Sequence, residues 1–232
     1  MFKRPHHQRI AHVLHAMDGK LLRDHACLFG GGTAMALKFG EYRESVDIDL
    51  MVSDITQYRA LRQMLTSADG VKPLFQKIAT PVNQLREVRA DQYGIRTLLA
   101  VDAQPIKFEI ILEARIELMP SNSEDDICEI PTLTPIDMAT SKLLANSDRW
   151  NDDSVFSRDV IDLAMMKPSS QLLNAAMEKA KGAYGDAIQL DLIKAIQKLK
   201  ERESWLDRCM RAMNMTVPKA LVWQNLSALK FK

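Results

Sequence analysis

The sequence predicts an α+β fold, in which a mixed sheet with flanking helices is followed by a helical C-terminal domain. Three observations predict it. Short runs before residue 118 alternate apolar and polar residues, three glycines separate an apolar run from a helix, and the long runs after residue 134 have helical spacing. We therefore divide the chain into an α/β core with an N-terminal helix over 1–118, a linker over 119–133 and a helical domain over 134–232.

The first predicted elements are a helix, a strand and a second helix. Apolar residues recur at helical spacing over 8–24, and a short apolar strand follows over 26–29. After the three glycines, a helix rich in alanine and leucine runs over 33–39. We expect it to end at Gly40, because glycine readily takes the left-handed conformation that closes a helix.

The next strand, over 46–52, carries two carboxylates on one face. Its apolar residues alternate with Asp47 and Asp49. Because successive side chains of a strand point to opposite faces, the two aspartates lie together on the face opposite the apolar residues. A helix is predicted after it, over 56–69.

Two further strands, over 88–101 and 105–112, are predicted to form a hairpin. Alternation in the second strand places Lys107 and Glu109 on one face. The stretch that follows is rich in proline, serine and acids, with one candidate short strand over 127–130.

The helical domain begins at a clear start signal. Thr134 is suited to the N-cap, Pro135 to the first helical position and Asp137 to the first turn. Breaks are expected over 146–153 and 182–185, and near the prolines at positions 168 and 218.

The net charge and its distribution limit the kinds of partner that the chain can bind. The 232 residues carry a net charge of only +1, which argues against a uniformly basic nucleic-acid coat. The charge is nevertheless uneven, because residues 1–171 sum to −4 and residues 172–232 to +5. The basic C-terminal quarter is compatible with a surface for a phosphate-rich acceptor or with an ordinary solvated helical surface.

Several features indicate the cytoplasm. The three cysteines, Cys27, Cys128 and Cys209, are far apart and form no CxxC pair, which favours reduced and mostly buried thiols. We expect no secretory signal, because no long apolar run follows the charges of the first nine residues, and no membrane span, because no stretch approaches about 20 apolar residues. All five histidines lie within the first 25 residues, and without a zinc-ligand spacing they favour a solvated or partner-facing helix.

The chemistry is concentrated between residues 29 and 50. Gly30, Gly31 and Gly32 precede a helix, and a glycine turn at a helix N-terminus can bring backbone N–H groups close to a phosphate. Asp47 and Asp49 are spaced to share Mg²⁺ ions, which prefer carboxylate and phosphate oxygens. A third carboxylate on a neighbouring strand would complete a two-metal site, and Glu109 is the candidate. The P-loop and dinucleotide-binding patterns are both absent.

This order of a glycine pair, a helix and Asp-x-Asp resembles the signature of the polymerase-β-type nucleotidyltransferase superfamily. More narrowly, Gly-Gly-Thr-Ala followed by Arg43, Ser45 and Asp47-Ile-Asp-Leu is similar to the AbiEii/AbiGii toxin family of bacterial toxin–antitoxin and phage-defence pairs. The segment around Lys142 resembles that family's helix with a nucleotide-contacting lysine, and Arg158-Asp159…Asp162-Leu163 resembles its downstream motif.

The resemblance implies a Mg²⁺-dependent enzyme, possible also with Mn²⁺, that transfers a nucleoside monophosphate from an NTP to an acceptor hydroxyl. The acceptor would be RNA, especially a tRNA 3′ end, or a protein, and an antitoxin would be a partner. The metals would lie on Asp47, Asp49 and Glu109, and Glu109 would help to deprotonate the attacking hydroxyl. The nucleotide would contact a larger set: Gly30, Gly31, Gly32, Thr33, Arg43, Ser45, Lys142, Asp159 and Asp162.

Other interpretations stay open at this level. A small-molecule nucleotidyltransferase that modifies antibiotics has the same core, and an inactive nucleotide-binding module would keep the fold. Arg43 could pair with a neighbouring glutamate, and Glu109 could be a solvated partner of Lys107. One of Asp159 and Asp162 could have a structural role, as the ion-pair partner of Arg149 or Arg158. The third carboxylate is a glutamate where the superfamily has an aspartate, and the phosphate-contacting hydroxyl would come from Thr33.

Overall fold

A computed structural model of the chain describes residues 2–76 and 82–230. The residues group into two units. The first comprises residues up to 37 together with 45–134, and the second comprises 38–44 together with the chain after 134. The segment assigned to a linker over 119–133 therefore groups with the first unit, while the short segment 38–44 groups with the second.

The first unit contains a mixed sheet with flanking helices, as the sequence predicts. Its strands are β1 (Leu28–Gly30), β2 (Ile48–Val52), β3 (Asn83–Gln84), β4 (Arg89–Ala90), β5 (Gly94–Val101) and β6 (Gln104–Leu112). They lie in the order β1-β2-β6-β5-β3, with β4 also paired to β5. The β2–β6 pair is parallel, whereas β1–β2 and β5–β6 are antiparallel.

Alternation in β2 and β6 forms the core of this unit. Ile48 and Leu50 of β2, and Phe108 and Ile110 of β6, are fully buried. The helices of the unit are α1 (Pro5–Ala16), α2 (Gly19–Asp24), α3 (Gly31–Lys38) and α4 (Ile55–Leu65). Helix α1 contacts β5 and helix α4 contacts β2, so the apolar faces of the sheet and the helices are buried together.

The predicted helix over 8–24 is interrupted. Helix α1 ends at Ala16, and α2 begins at Gly19 after Asp18. The Asp18 carboxylate accepts a hydrogen bond from the Leu21 N–H at 3.0 Å, which caps the second helix. A strong capping residue inside an apolar periodic stretch therefore ends one helix and starts another.

The segment before residue 134 is held by the edge of the sheet. The Phe29 N–H of β1 donates to the Pro131 carbonyl at 2.7 Å, and the Leu133 N–H donates to the Phe29 carbonyl at 2.9 Å. Ile127 and Ile130 exchange backbone hydrogen bonds with each other, so the candidate strand over 127–130 is a turn. These contacts cover the open edge that β1 would otherwise present.

The second unit is helical, as the sequence predicts. Its helices are α5 (Pro135–Arg149), α6 (Arg158–Met166), α7 (Ser170–Tyr184), α8 (Ala187–Glu201), α9 (Trp205–Ala212) and α10 (Lys219–Ala228). Helix α5 contacts α6, α7 and α8, and α6 also contacts α10. In the ranges that the structure describes, no helix is both long and apolar enough to cross a membrane. All three cysteines are free, with Cys27 and Cys209 buried.

Candidate active site

The three predicted metal ligands lie on one face of the sheet in the first unit. In the parallel pairing of β2 and β6, Asp49 is directly opposite Glu109. Asp47 lies one residue before β2 and two before Asp49. The parallel register therefore gathers carboxylates from two strands that are distant in sequence.

Lys107 is one of the cations that contact this carboxylate face. Its Nζ lies 3.0 Å from Oε2 of Glu109, so the predicted sharing of a face is confirmed. Partial burial by itself would lower the pKa of Lys107, but the hydrogen bond to Glu109 and the charges of Glu109, Asp47 and Asp49 raise it. The ammonium group thus experiences the field of all three carboxylates.

Arg96 is a second cation at this face, and sequence reasoning missed it. Its Nε donates to Oε1 of Glu109 at 2.5 Å, so both oxygens of this glutamate contact cations. The signal was present, because counting back from the tight turn between β5 and β6 places residue 96 opposite residue 109, as the observed register does.

The carboxylates have the donor chemistry that Mg²⁺ requires, since all three offer only hard oxygen atoms. As the side chains stand, they do not converge on one point. Among residues 2–76 and 82–230, no three histidine, cysteine or acidic side chains are close enough together to hold a metal ion. Asp47, Asp49 and Glu109 therefore have the chemistry that a hard cation needs and lie on one face, and Glu109 is paired with Lys107 and Arg96.

The glycine turn lies directly against this carboxylate face. Gly30 pairs with Asp49 in the antiparallel register of β1 and β2, and Gly31 opens helix α3 with a left-handed φ of +68°. A Cβ on Gly31 would collide with the Asp49 carboxylate, so only glycine fits the space. Gly32 follows in the first turn of α3. The N-terminus of this helix carries partial positive charge, which favours anionic groups beside it.

Thr33 and Ser45, both predicted to contact nucleotide, contact each other. The buried Thr33 hydroxyl donates to the Ser45 hydroxyl oxygen at 2.9 Å. This bond connects helix α3 to the segment that leads into Asp47. The two hydroxyl residues therefore join the glycine turn to the carboxylates.

We expect Gly31→Ala to impair both stability and activity. The left-handed backbone costs a residue with a Cβ about 1–2 kcal/mol, and displacement of Asp49 adds about 1–3 kcal/mol of overpacking. Gly40→Ala is the matched control, because Gly40 also has positive φ, +87°, as predicted for a helix-closing glycine, but has open space around its Cβ position. Chemical denaturation of both variants measures the difference. Equal losses in the two variants would show that Asp49 yields to the added methyl group at no cost.

The remaining predicted residues lie in the second unit, in a buried ionic cluster. Arg43, which the short segment 38–44 contributes, forms a two-pronged pair with Asp162, at 2.6 Å from Nε to Oδ1 and 2.8 Å from Nη2 to Oδ2. The Tyr42 hydroxyl donates to the same carboxylate at 2.7 Å. Asp162 is fully buried and Arg43 is 5% exposed.

Lys142 and Asp159 extend the cluster. The Lys142 ammonium lies 2.7 Å from Oδ2 of Asp162 and 3.2 Å from Oδ1 of Asp159, and it is buried. Asp159 also receives two hydrogen bonds from Arg149, at 2.7 and 3.0 Å. Both aspartates therefore hold cations within the unit: Asp159 holds Arg149, and Asp162 holds Arg43.

Electrostatics keep both aspartates ionised. Burial alone would raise the pKa of Asp162, but the charges and hydrogen bonds of Arg43 and Lys142 hold it well below its usual value. The pKa of Asp159 is also lowered, since Lys142 and Arg149 outweigh its burial. An ionised carboxylate buried without such partners would be very unfavourable, so the cluster depends on every member.

Several cations of the basic C-terminal quarter are engaged in local contacts. Lys198 and Arg202 both pair with Asp153, at 2.8 and 2.6 Å, and both lie over the ring of the buried Trp205. Lys194 pairs with Asp191 at 3.1 Å. These contacts give the cations structural partners inside the second unit.

Carboxylates in register on a mixed sheet, beside a glycine turn that opens a helix, match the nucleotidyltransferase signature that the sequence resembles. Comparison with protein families agrees: the model of the nucleotidyl transferase AbiEii toxin, of type IV toxin–antitoxin systems, matches residues 15–226. The chain therefore belongs to the AbiEii nucleotidyltransferase toxin family, as its sequence motifs predict. Membership in a toxin–antitoxin family implies an antitoxin as a partner.

Two solved structures from Helicobacter pylori align with most of the chain. A Helicobacter pylori protein described as a "putative nucleotidyltransferase" has a TM-score of 0.54 at 15% identity, over 96% of this chain and 89% of that one. JHP933 from Helicobacter pylori has a TM-score of 0.48 at 17% identity, over 96% and 87% of the two chains. The first likeness supports the mixed α/β fold. No curated protein sequence matches the chain.

Proposed function

We propose that this nucleotidyltransferase toxin transfers a nucleoside monophosphate from an NTP to a hydroxyl of RNA, above all at the 3′ end of tRNA, in a reaction that depends on Mg²⁺. One observation carries the metal-dependent transfer: Asp49 and Glu109 lie opposite each other in register, with Asp47 two residues before Asp49 and the glycine turn beside them. The RNA acceptor is proposed from the resemblance to the toxin family. A protein hydroxyl is the second acceptor to test. The proposed biological role is defence against phage.

Asp47 and Asp49 are proposed to hold the metal. Bound Mg²⁺ would neutralise triphosphate charge and stabilise the attacking and leaving oxygens of an in-line displacement. Glu109 would join these ligands by exchanging its contacts with Arg96 and Lys107. The two cations, released from Glu109 and still beside the site, would then be available to the triphosphate oxygens.

The glycine turn is proposed to orient the triphosphate. The backbone N–H groups at the start of α3 point away from the helix and can donate to phosphate oxygens, and the helix dipole favours negative charge there. Gly31 lets the chain approach closely because it carries no side chain. The buried contacts of Arg43 and Lys142 with Asp162 support a structural role for both cations in the second unit.

The test is a transfer assay with the full chain. The protein is incubated with Mg²⁺, each labelled NTP in turn, and either total tRNA or a protein lysate, and the label is followed into RNA or protein. We expect label on RNA from a preferred NTP, and removal of the divalent cation with EDTA should abolish it.

Three results would contradict the proposal. Transfer that persists in EDTA would exclude the metal-dependent mechanism. Label on protein alone would show that the acceptor is a protein and not RNA. Absence of label on both acceptors with every NTP would exclude the proposed reaction.

A further inference from the structure

The first turn of α1 contacts the backbone that leads into the catalytic aspartates. His7 is fully buried, so the expectation of a solvated or partner-facing helix is wrong for this histidine. Its Nε2 accepts a hydrogen bond from the Ser45 N–H at 3.2 Å. The neighbouring His6 has its Nε2 3.1 Å from the Val46 carbonyl oxygen.

The direction of the bond at His7 defines the form of its ring. A backbone N–H can only donate, so Nε2 of His7 must carry a lone pair and no proton. At His6 the partner is a carbonyl oxygen, which can only accept, so that Nε2 must donate. The two histidines therefore hold one donor and one acceptor of adjacent residues in the chain.

Ser45 is the point where three parts of the site meet. Its N–H is held by His7, its hydroxyl accepts from Thr33 of helix α3, and two residues later the chain reaches Asp47. Thr33 in turn lies two residues after Gly31, and the Asp49 carboxylate occupies the space where a Cβ of residue 31 would lie. The segment that carries Asp47 is thus fixed from the N-terminal helix on one side and from the glycine turn on the other.

We propose that His7 is a positioning residue for nucleotidyl transfer, which acts by holding the Ser45 amide and thereby the orientation of Asp47. This inference rests on the proposed function. Buried partners that orient metal ligands typically change metal affinity or activity by about 10–100-fold when they are removed. His7 acts through backbone geometry and makes no contact with the substrate in this scheme.

The test compares two neutral polar substitutions of different length. His7→Gln places an amide oxygen near the position of Nε2 and keeps an acceptor for Ser45. His7→Asn is too short to reach that position and loses the acceptor, although its polarity is the same. We expect kcat of His7→Asn to fall by about 10–100-fold, with KM for the NTP changed less than about twofold because the glycine turn proposed to orient the triphosphate is unchanged. His7→Gln should restore most of kcat.

Amide hydrogen exchange at Ser45 provides a readout that does not need activity. We expect the protection of this amide to be retained in His7→Gln and lost in His7→Asn, while amides in the middle of β6 stay protected in both. This measurement separates the two proposals, because it reports on the His7–Ser45 bond even if the parent protein transfers no nucleotide.

Three outcomes would overturn the role of His7. Equal kcat values in His7→Gln and His7→Asn would show that the acceptor has no effect on the reaction. Unchanged protection of Ser45 in His7→Asn would show that the bond does not hold the amide. Loss of protection throughout the sheet in His7→Asn, with both variants equally inactive, would assign His7 to general stability.

Discussion

Replacing Asp49 with asparagine is expected to reduce nucleotidyl transfer by more than about 100-fold, because removal of even an outer-shell partner of a metal ligand costs about 10–100-fold. Asparagine keeps the shape of the side chain beside Gly31 but removes the negative charge that faces Glu109. The free energy of unfolding should change by less than about 1 kcal/mol, since relief of repulsion between like charges offsets the lost interaction with the N-terminus of α3.

Asp102→Asn is the matched control for this substitution. Asp102 is exposed in the turn between β5 and β6, with a left-handed φ of +49° that asparagine also adopts readily. The control should keep full activity in the same transfer assay. If Asp49→Asn were as active as Asp102→Asn, the carboxylate face could not be the catalytic centre.

Replacing Asp162 with asparagine should destabilise the second unit by about 3–5 kcal/mol, the cost of removing one partner of a buried ion pair. The substitution leaves Arg43 and Lys142 buried without their shared carboxylate. Urea denaturation measures the loss. The control is Asp186→Asn, since the Asp186 side chain is largely exposed and lies 3.6 Å from Lys181, so a change within about 0.5 kcal/mol is expected there.

The same cluster predicts how stability depends on pH. The pKa values of Asp159 and Asp162 are lowered in the folded protein, whereas in the unfolded chain an aspartate titrates near about 3.9. Their contribution is therefore fully present above about pH 4 and is lost as the pH falls through the folded values. Asp162→Asn should flatten this acid dependence, and an unchanged acid unfolding curve would show that the cluster contributes little.

Local patterns were sufficient to predict the parts of the site that lie close together in sequence. The period of two in the strand predicted over 46–52 placed Asp47 and Asp49 on one face, and the glycine run indicated the turn that Gly31 forms. These predictions succeed because side-chain alternation and positive φ are properties of a few consecutive residues.

The contacts between distant residues could not be predicted in the same way. Glu109 was predicted to lie on a strand next to the aspartates, but no local pattern specifies the parallel register of β2 and β6 that brings it opposite Asp49. Equally, Arg43 has glutamates as neighbours in sequence, yet its carboxylate partner lies 119 residues further along. Pairing between distant residues depends on the packing of the whole unit, and short sequence motifs do not specify which residues pair.

The separation of Arg43 from Asp162 has a consequence for the order in which the protein is made. At translation rates of about 5–20 residues per second, Asp162 is synthesised roughly 6–24 seconds after Arg43. During that interval the strand at 48–52 and the β5–β6 hairpin can already form. Residues 38–44 cannot yet pack, because the carboxylate that pairs with Arg43 has not been synthesised. If translation stops before Asp162, the released chain contains the complete strand at 48–52. Its second unit, however, lacks the carboxylate that pairs with Arg43 and cannot form the buried ionic cluster.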